Sequence, residues 1–397
     1  MFNRILLTSV MILALTILSQ FTTRAQIPVF PLNSEGYQCF RIPSILTIGK
    51  EELLAFAEGR KNSCSDFGNV DLVMKRSVDG GNTWNPLRVI VDNDSLQAGN
   101  IAPVFDRFDP EYPGGRIFVF YNTGNAFEWQ VRSGKGLREV WYITSTDKGK
   151  TWSRPVNITL QVHRPNQPDE NTAYNFTEDW RAYANTPGHG LQMNSGKYKG
   201  RIFIPVNHTE GEPKEDWTDC FAGGFYTDDH GRSFHLAENI SIAGSNECTA
   251  AETSNGGVMI NARNQKGIPR ERIAALSSNG GESWDSTWYE DQIIDPVCQA
   301  SLMNVRLKEM HILLFTNPAS TSQRVNLTLR ASYDDGMTWP DSILLIPGDA
   351  AYNDISVYNK TMLGVLYEKG SDGGIYFMGI DLKSTLSFEK VNGKRME

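Results

Sequence analysis

An eight-residue turn pattern that occurs five times is the feature that most constrains how this chain folds. Each copy fits Ser/Thr-x-Asp/Asn-x-Gly-x-Ser/Thr-aromatic. The Asp or Asn side chain can accept hydrogen bonds from backbone N–H groups of a tight turn, and the glycine can take the positive φ that other residues resist. We expect the closing aromatic ring to pack back over its own hairpin. The copies span residues 77–84, 145–152, 227–234, 277–284 and 332–339.

Short strands are predicted on both sides of every turn. Each copy follows an apolar run, further strand candidates lie between the copies, and no long stretch has helical periodicity. The copies start between 50 and 82 residues apart. Four short strands in a repeat of that size are typical of a propeller blade. A β-sandwich with repetitive turns is the alternative, and five copies of one turn disfavour it.

The net charge of −8 argues against nucleic acid as a partner, because no basic field is available to replace phosphate counterions. An anionic ligand would require a local cluster of arginine or lysine within an acidic chain. The 6 His are scattered and the 5 Cys show no zinc-binding spacing, so we predict no metal and no cofactor. An odd number of cysteines leaves at least one thiol unpaired, and the spacing does not say which ones would form a disulfide.

The N-terminus has the pattern of a secretory signal. Arg4 precedes an almost wholly apolar run from Ile5 to Leu18, and a plausible cleavage point follows Ala25. The run is short for an uncleaved membrane anchor, which is the alternative. We therefore predict a signal peptide over residues 1–25, a single domain over 26–397, no stable membrane insertion, and a secreted or periplasmic location.

A second motif is Phe40-Arg41-Ile42-Pro43, in which a charged residue lies between apolar neighbours of a strand-like run and so needs a partner. The five turns resemble the Asp boxes of sialidases. The turns and this second motif together resemble the motif set of the exo-α-sialidase (neuraminidase) family. The resemblance extends from about Phe30 to Ile380. The resemblance implies an all-β, six-bladed β-propeller. Only five turns are visible for six expected blades, so either the remaining blade lacks this turn or strands from both chain ends close the ring.

The resemblance also implies a binding site for the carboxylate of sialic acid. Arg41, Arg263 and Arg324 match the three family arginines that clamp this group, and guanidinium forks suit that task because they are planar and always charged. Arg60 resembles a further arginine of the same pocket. Glu368 resembles the glutamate that steadies the first arginine.

Three residues resemble the catalytic groups of the family. Tyr352 is the expected nucleophile, Glu247 its proton-accepting partner and Asp66 the acid/base. A neutral phenol avoids the repulsion that a carboxylate nucleophile would meet beside the carboxylate of sialic acid, and sialidases are the known tyrosine exception among glycosidases. Glu252 competes with Glu247, and Asp71 competes with Asp66; the resemblance to the family's spacing implies Glu247 and Asp66.

These residues together predict a retaining exo-α-sialidase that acts on terminal sialic acids of glycoproteins, glycolipids or oligosaccharides, with sialylated glycans as partners. A glycan-binding propeller without turnover and a trans-sialidase are the alternatives. Acceptor choice would depend on aromatic rim residues, for which Trp129, Trp180 and Trp217 are candidates. His189 is either a pH-active residue of the pocket or a structural imidazole.

Overall fold

The computed structural model describes residues 25–370 and 373–386, and its regular structure is almost entirely β-strand. The predicted signal peptide lies outside the described residues apart from Ala25. The described residues contain no helix long and apolar enough to cross a membrane. Three helices are found in the described ranges, and all are short: α1 (Glu128–Arg132), α2 (Thr159–Val162) and α3 (Leu382–Thr385).

The strands form five sheets arranged as a propeller. The chain begins with β1 (Ile27–Phe30), which belongs to the last sheet. The first sheet has eight strands: β2 (Cys39–Thr47), β3 (Leu53–Arg60), β4 (Val70–Ser77), β5 (Arg88–Val91), β6 (Gln97–Asp106), β7 (Arg116–Gly124), β8 (Arg138–Ser145) and β9 (Val156–Asn157). The second has five strands: β10 (Ala184–Asn185), β11 (Leu191–Gln192), β12 (Ile202–Thr209), β13 (Cys220–Thr227) and β14 (His235–Leu236).

The other three sheets have four strands each. The third sheet comprises β15 (Ser245–Glu252), β16 (Val258–Asn264), β17 (Glu271–Ser277) and β18 (Ser286–Ile294). The fourth comprises β19 (Ser301–Leu307), β20 (Met310–Pro318), β21 (Val325–Ser332) and β22 (Asp341–Asp349). The last comprises β23 (Asn353–Tyr358), β24 (Met362–Glu368), β25 (Ile375–Asp381) and β1.

Both chain ends complete the last sheet, as one of the two sequence-based alternatives predicts. Strand β1 pairs antiparallel with β25, with Ile27 opposite Phe377. The Tyr367 hydroxyl also donates a hydrogen bond to the Gln26 side chain at 2.8 Å. The ring is therefore closed by hydrogen bonds between the first and last described strands.

The number of separate sheets differs from the prediction. Six blades imply six sheets, whereas the strands hydrogen-bond into five. The difference arises in the first sheet, where β4 and β6 are joined by one parallel pair between Val70 and Gln97. The all-β propeller is confirmed, whereas the predicted six blades do not appear as six separate hydrogen-bonded sheets among the described residues.

The hydrophobic core is divided among the spaces between neighbouring layers of strands. Six large apolar clusters are found among the described residues, each with members from two adjacent groups of strands. One of them joins Leu54 and Phe56 of β3 to Val119 and Tyr121 of β7, between the two halves of the eight-stranded sheet. Burial of apolar surface between layers is the dominant force that holds such a ring together.

The five turns share one hydrogen-bonding scheme. In the first, the Gly81 N–H donates to the Ser77 hydroxyl at 2.8 Å, and Asp79 accepts from the backbone N–H of Thr83 at 2.9 Å and from its hydroxyl at 2.6 Å. Gly81 has a φ of 87°, which explains the invariant glycine of the pattern. The two bonds donated by backbone N–H groups recur in the other four copies.

The aromatic residues that close the turns do not simply cover their own hairpins. Trp84 packs edge-on against Phe377 of the last sheet, with ring centroids 5.6 Å apart. Trp284 of the third sheet contacts Phe203 of the second in the same manner. In these copies the ring therefore reaches a neighbouring sheet, so the turn contributes to packing around the ring.

The strands nearest the axis carry irregularities at one end. Strands β2, β6 and β15 each have a register shift near their N-terminal end. The shift lies between Arg41 and Ser44 in β2, between Gly99 and Ala102 in β6, and between Ser245 and Cys248 in β15. Such bulges bend a strand and redirect its side chains, and they are frequent beside functional sites. Here they occur at the same end of three axial strands.

Candidate active site

A polar cavity of about 250 Å³ lies at the end of the axis where the bulges occur. It contains both charged and neutral polar side chains from several sheets. Seven of the eight predicted site residues line it: Arg41, Arg60, Asp66, Glu247, Arg263, Arg324 and Tyr352. The eighth, Glu368, contacts the cavity through Arg41.

Glu368 holds Arg41 in a fixed orientation. The Arg41 guanidinium donates two hydrogen bonds to the Glu368 carboxylate, at 3.0 and 3.1 Å, in a bidentate arrangement. The same carboxylate accepts the Ile42 N–H at 2.8 Å. Ile42 has a φ of 60°, a strained value for a β-branched residue. Burial opposes the positive charge of Arg41, but the Glu368 carboxylate raises its pKa overall.

The three predicted clamp arginines surround one phenol ring. The guanidinium carbons of Arg41 and Arg324 lie 5.1 and 5.4 Å from the centre of the Tyr352 ring. A guanidinium nitrogen of Arg263 lies 3.3 Å from the Tyr352 hydroxyl oxygen. The sequence positions of these arginines are more than 200 residues apart at the extremes, and the closed ring brings them together.

Tyr352 and Glu247 form a close donor–acceptor pair. The Tyr352 hydroxyl donates to one carboxylate oxygen of Glu247 at 2.5 Å, and Arg263 donates to the other at 2.8 Å. Burial and the negative charge of Glu247 raise the pKa of Tyr352 well above its usual value. The phenol is therefore neutral at physiological pH, with a carboxylate placed to accept its proton.

Asp66 lies on a loop that a disulfide attaches to the propeller. Cys64 is bonded to Cys39, the first residue of β2. Arg60 donates to the Cys64 carbonyl at 2.7 Å and to the Asp66 carboxylate at 2.8 Å, and it is itself held by Glu58 at 2.7 Å. Burial raises the pKa of Asp66, but the guanidinium groups of Arg60 and Arg41 outweigh it and lower the pKa overall.

The structure places the two competing carboxylates away from the cavity. Glu252 is buried and accepts the N–H groups of Asn194 and Ser195 at 2.8 and 2.9 Å. Asp71 is buried under the loop, where it accepts the Tyr37 hydroxyl at 2.6 Å. Both carboxylates hold local structure, so Glu247 and Asp66 are the members of each pair that face the pocket.

Several polar residues of the cavity were missed by the sequence reasoning. These residues are Glu58, Gln97, Glu128, Arg138, Asn246 and Gln265. Arg138 is deeply buried and bonded to the Gln97 side chain. Glu58 could have been found, because it lies two positions before Arg60 on the same face of β3. No local pattern distinguishes Glu128, which a loop and the first turn of α1 bring to the pocket.

A layer of hydrogen bonds beneath the cavity fixes the strand that follows Tyr352. The side chain of Gln299 accepts the Asn353 N–H at 2.9 Å and donates to the Asn353 carbonyl at 2.9 Å. The Arg324 guanidinium donates to the Val297 carbonyl at 3.4 Å. The segment Asp295–Ala300 therefore positions groups that face the phenol.

His189 and the rim tryptophans have distinct environments. His189 is bonded to Asp354 at 2.7 Å, beneath the catalytic end of β23 rather than among the pocket residues. Trp180 stacks on His208 at 3.6 Å, and Trp217 lies 3.9 Å from the Arg132 guanidinium carbon. Trp129, beside the pocket residue Glu128, is 65% exposed.

One group of acidic and histidine side chains could hold a metal by distance alone: Asp106, Asp109 and His230. Arg116 forms an ion pair with Asp109 at 2.6 Å, and His230 bonds to Asp106 at 2.8 Å. These partners already satisfy the group, and it lies outside the cavity. The absence of a metal requirement remains a prediction.

Comparisons with known proteins agree with this geometry. The family model described as "BNR repeat-like domain" matches residues 51–365. The sialidase of Micromonospora viridifaciens is 28% identical over 377 residues, which cover 88% of this chain and 52% of that protein. The sialidase of Bacteroides fragilis (strain YCH46) is 30% identical over 387 residues, covering 89% of this chain and 64% of that protein.

A solved structure resembles the fold over most of its length. Hadza microbial sialidase Hz136 superposes with a TM-score of 0.78 at 27% identity, covering 91% of this chain and 70% of that one. The chain thus belongs to the family of BNR repeat-like propellers. Within that class it is a member of the sialidase family. It spans about half to two thirds of the length of the two curated relatives described above.

Proposed function

We propose that this protein is a retaining exo-α-sialidase that hydrolyses terminal α-linked sialic acid from glycoproteins, glycolipids or oligosaccharides. The observation that carries the proposal is the Tyr352–Glu247 hydrogen bond of 2.5 Å at the centre of three arginines. A buried phenol paired to a carboxylate, beside a concentrated positive charge, suits a substrate whose reacting carbon bears a carboxylate.

Arg41, Arg263 and Arg324 would bind that carboxylate. Their guanidinium groups converge on one ring, and charge-assisted hydrogen bonds to an oxyanion are roughly twice as strong as neutral ones. Glu368 and Glu247 hold two of the three forks before any substrate arrives. This preorganisation reduces the ordering that binding would otherwise require.

Tyr352 would attack the anomeric carbon. A bond forms between its oxygen and that carbon, the glycosidic bond breaks, and Glu247 takes the phenolic proton. Because the phenol is neutral before attack, it approaches the substrate carboxylate without charge repulsion. Water then attacks the anomeric carbon of the covalent intermediate from the opposite face, the tyrosine oxygen leaves, and Glu247 returns the proton. Two successive inversions give retention.

Asp66 would donate a proton to the departing oxygen and later accept one from the attacking water. Its pKa is lowered in the free protein, where Arg60 and Arg41 face it. A bound substrate carboxylate would neutralise part of the Arg41 charge and displace water from the pocket, and both changes favour protonation of Asp66. The acid would thereby be formed when substrate is present.

Replacement of the nucleophile gives the sharpest test. Tyr352→Phe keeps the ring that packs on Ile42 and Cys298 and removes only the hydroxyl. Release of sialic acid from an aryl sialoside should be abolished. Tyr358→Phe is a matched control, because both tyrosines are 7% exposed and Tyr358 ends β23, the strand that Tyr352 immediately precedes, away from the cavity. Full activity of Tyr352→Phe would refute the mechanism.

A second substitution tests the acid. Asp66→Asn should lose more activity on sialyllactose than on an aryl sialoside, since an aryl leaving group departs with little need of a proton. An equal loss on both substrates would contradict the acid role. A glycan-binding propeller would instead bind both sialosides tightly and release nothing. Product analysis by mass and anomeric configuration separates hydrolysis from transfer to another sugar.

We also propose that the ring has six blades. The six apolar clusters support this count, since a closed ring has as many interfaces as blades. The eight-stranded sheet would then supply two blades joined at one parallel pair. An experimental electron-density map with six separate radial layers would support the count, and one with five would refute it.

A secreted or periplasmic location remains our proposal. The disulfide between Cys39 and Cys64 supports it, because such bonds persist mainly in oxidising compartments. Identification of Gln26 as the N-terminal residue of the mature protein, by Edman degradation or mass spectrometry, would establish the predicted cleavage.

A further inference from the structure

A second cavity lies on the propeller axis beyond the proposed active site. Its volume is about 200 Å³. The active-site cavity involves the N-terminal ends of the axial strands, with Arg41 on β2 and Asn100 on β6. The second cavity involves later parts of the same strands, Ile45–Thr47 on β2 and Val104 on β6. Four to five residues of extended chain separate the two cavities by roughly 15 Å.

Acidic side chains are absent from the described residues that line this second cavity. In a chain with a net charge of −8, that is an unusual environment. The polar lining residues are neutral amides and hydroxyls, together with two residues that can carry positive charge, Arg107 and His189. A cavity with cationic and neutral donors but no carboxylate favours an anion over a cation.

Arg107 has no carboxylate partner within ion-pair distance in the part of the chain that the structure describes. Its guanidinium lies 5.0 Å from the centre of the Phe105 ring and makes one long hydrogen bond of 3.5 Å to the Thr47 carbonyl. Arg107 is an exposed residue, so a ligand from solvent can reach its guanidinium group. Other arginines of the fold already have a carboxylate partner, as Arg132 has Asp219. A bound anion would supply the partner that Arg107 lacks, through charge-assisted hydrogen bonds.

Other donors lie beside Arg107. One ring nitrogen of His189 bonds to Asp354, which leaves its second ring nitrogen available to a ligand in the cavity that His189 lines. The side chain of Asn304 also lines the cavity and has no hydrogen bond within the described residues. Guanidinium, imidazole and amide donors together match an oxyanion, and the neutral amide also suits a sugar hydroxyl.

We propose that this cavity on the axis is a second binding site, which takes a small oxyanion up to the size of an acidic monosaccharide. Its volume is below the range of about 300–1,000 Å³ that is usual for drug-sized ligands, so a single small group fits it. The site would be independent of the catalytic residues, since Arg107 contacts none of them in the structure. It therefore goes beyond the proposed hydrolysis and does not depend on it.

The proposal can be tested with glucuronate, glucose and sulfate as probes in isothermal titration calorimetry. Glucuronate should bind the full chain, whereas glucose, which lacks the carboxylate, should not. Binding of sulfate as well would identify a general oxyanion site, and binding of glucuronate alone would identify an acidic-sugar site. Absence of binding by both anions up to about 10 mM, ten times a weak millimolar Kd, would refute the proposal.

Two variants assign the binding to one cavity or the other. Arg107→Gln should weaken glucuronate binding about tenfold or more and leave sialoside turnover unchanged, and Arg107→Lys should restore part of the affinity because it keeps the charge. Arg324→Gln, on the catalytic side, should leave the second-site affinity unchanged. Glucuronate binding that survives Arg107→Gln but is lost in Arg324→Gln would place the ligand in the catalytic pocket and overturn the proposal.

Discussion

Removal of the Cys39–Cys64 disulfide should affect both stability and catalysis. The bridge spans a sequence separation of 25 residues, and the loop it closes carries Arg60. The chain-entropy relation for a loop of that size gives about −12 cal/mol/K, or about 3.5 kcal/mol of lost stability at 25 °C. With an unfolding entropy of about 2.1 cal/mol/K per residue over roughly 360 described residues, Tm should fall by about 5 °C.

The effect on catalysis follows from the position of Cys64. Its carbonyl and the Asp66 carboxylate both bind the Arg60 guanidinium, so release of the bridge would loosen the segment that carries the proposed acid. We expect kcat to fall more than the affinity for the substrate carboxylate, because Arg263 and Arg324 lie in or beside other sheets and Glu368 still holds Arg41.

Thermal unfolding and steady-state kinetics of Cys39→Ala/Cys64→Ala would measure both effects. Reductant provides the matched control: it should lower Tm and kcat of the native chain towards those of the double variant and leave the variant unchanged. Cys220, Cys248 and Cys298 are free and buried, so they add no second bridge to the comparison. If the double variant kept the native Tm and kcat, the argument from loop closure and loop anchoring would be wrong.

Three further predictions concern other parts of the structure. Glu368→Gln should leave the Arg41 charge without its carboxylate, lower stability by about 3–5 kcal/mol in denaturant titrations and raise KM. Burial opposes protonation of His189, but Asp354 raises the pKa of His189 overall. The ion pair should therefore stabilise the fold fully below about pH 6.5, and this stabilisation should be lost as pH rises through the raised pKa of the folded state. Tm measured against pH should lose this dependence in the His189→Gln variant. Trp129→Ala should raise KM for sialyl-oligosaccharides about two- to tenfold and leave KM for a small aryl sialoside unchanged, because only the longer substrate reaches the exposed ring.

The fold could be predicted from sequence largely because its signal is local. The turn pattern contains all the groups that form its hydrogen bonds, from Ser77 to Thr83 in the first copy. The number of separate sheets could not be predicted in the same way. It depends on whether Val70 and Gln97, which are 27 positions apart, come within hydrogen-bonding distance, and no local pattern records that contact.

The site was predictable where a motif fixes a residue and ambiguous where two carboxylates lie close in sequence. Phe40-Arg41-Ile42-Pro43 identified Arg41 directly. Spacing alone separated Glu247 from Glu252, and the structure supplies the physical reason: the register shift between Ser245 and Cys248 redirects Glu247 towards Tyr352. A bulge changes which face a strand residue points to, so simple alternation cannot predict it.

Contacts between residues that are distant in sequence account for most of what the sequence did not reveal. Arg138 and Gln97 meet within the cavity although they lie on strands β8 and β6. The partner of Cys39 was also open, since five cysteines allow many pairings. These contacts arise from tertiary geometry, which no single segment of the chain specifies.

The pairing of β1 with β25 has a consequence for when the protein can begin to work. Tyr352 stands immediately before β23, in the sheet that only the first and last strands of the chain complete together. During synthesis, that sheet stays unfinished until the ribosome has released almost the whole polypeptide. Such distant pairings form slowly. The proposed active site would therefore stay incomplete until the first and last described strands have paired.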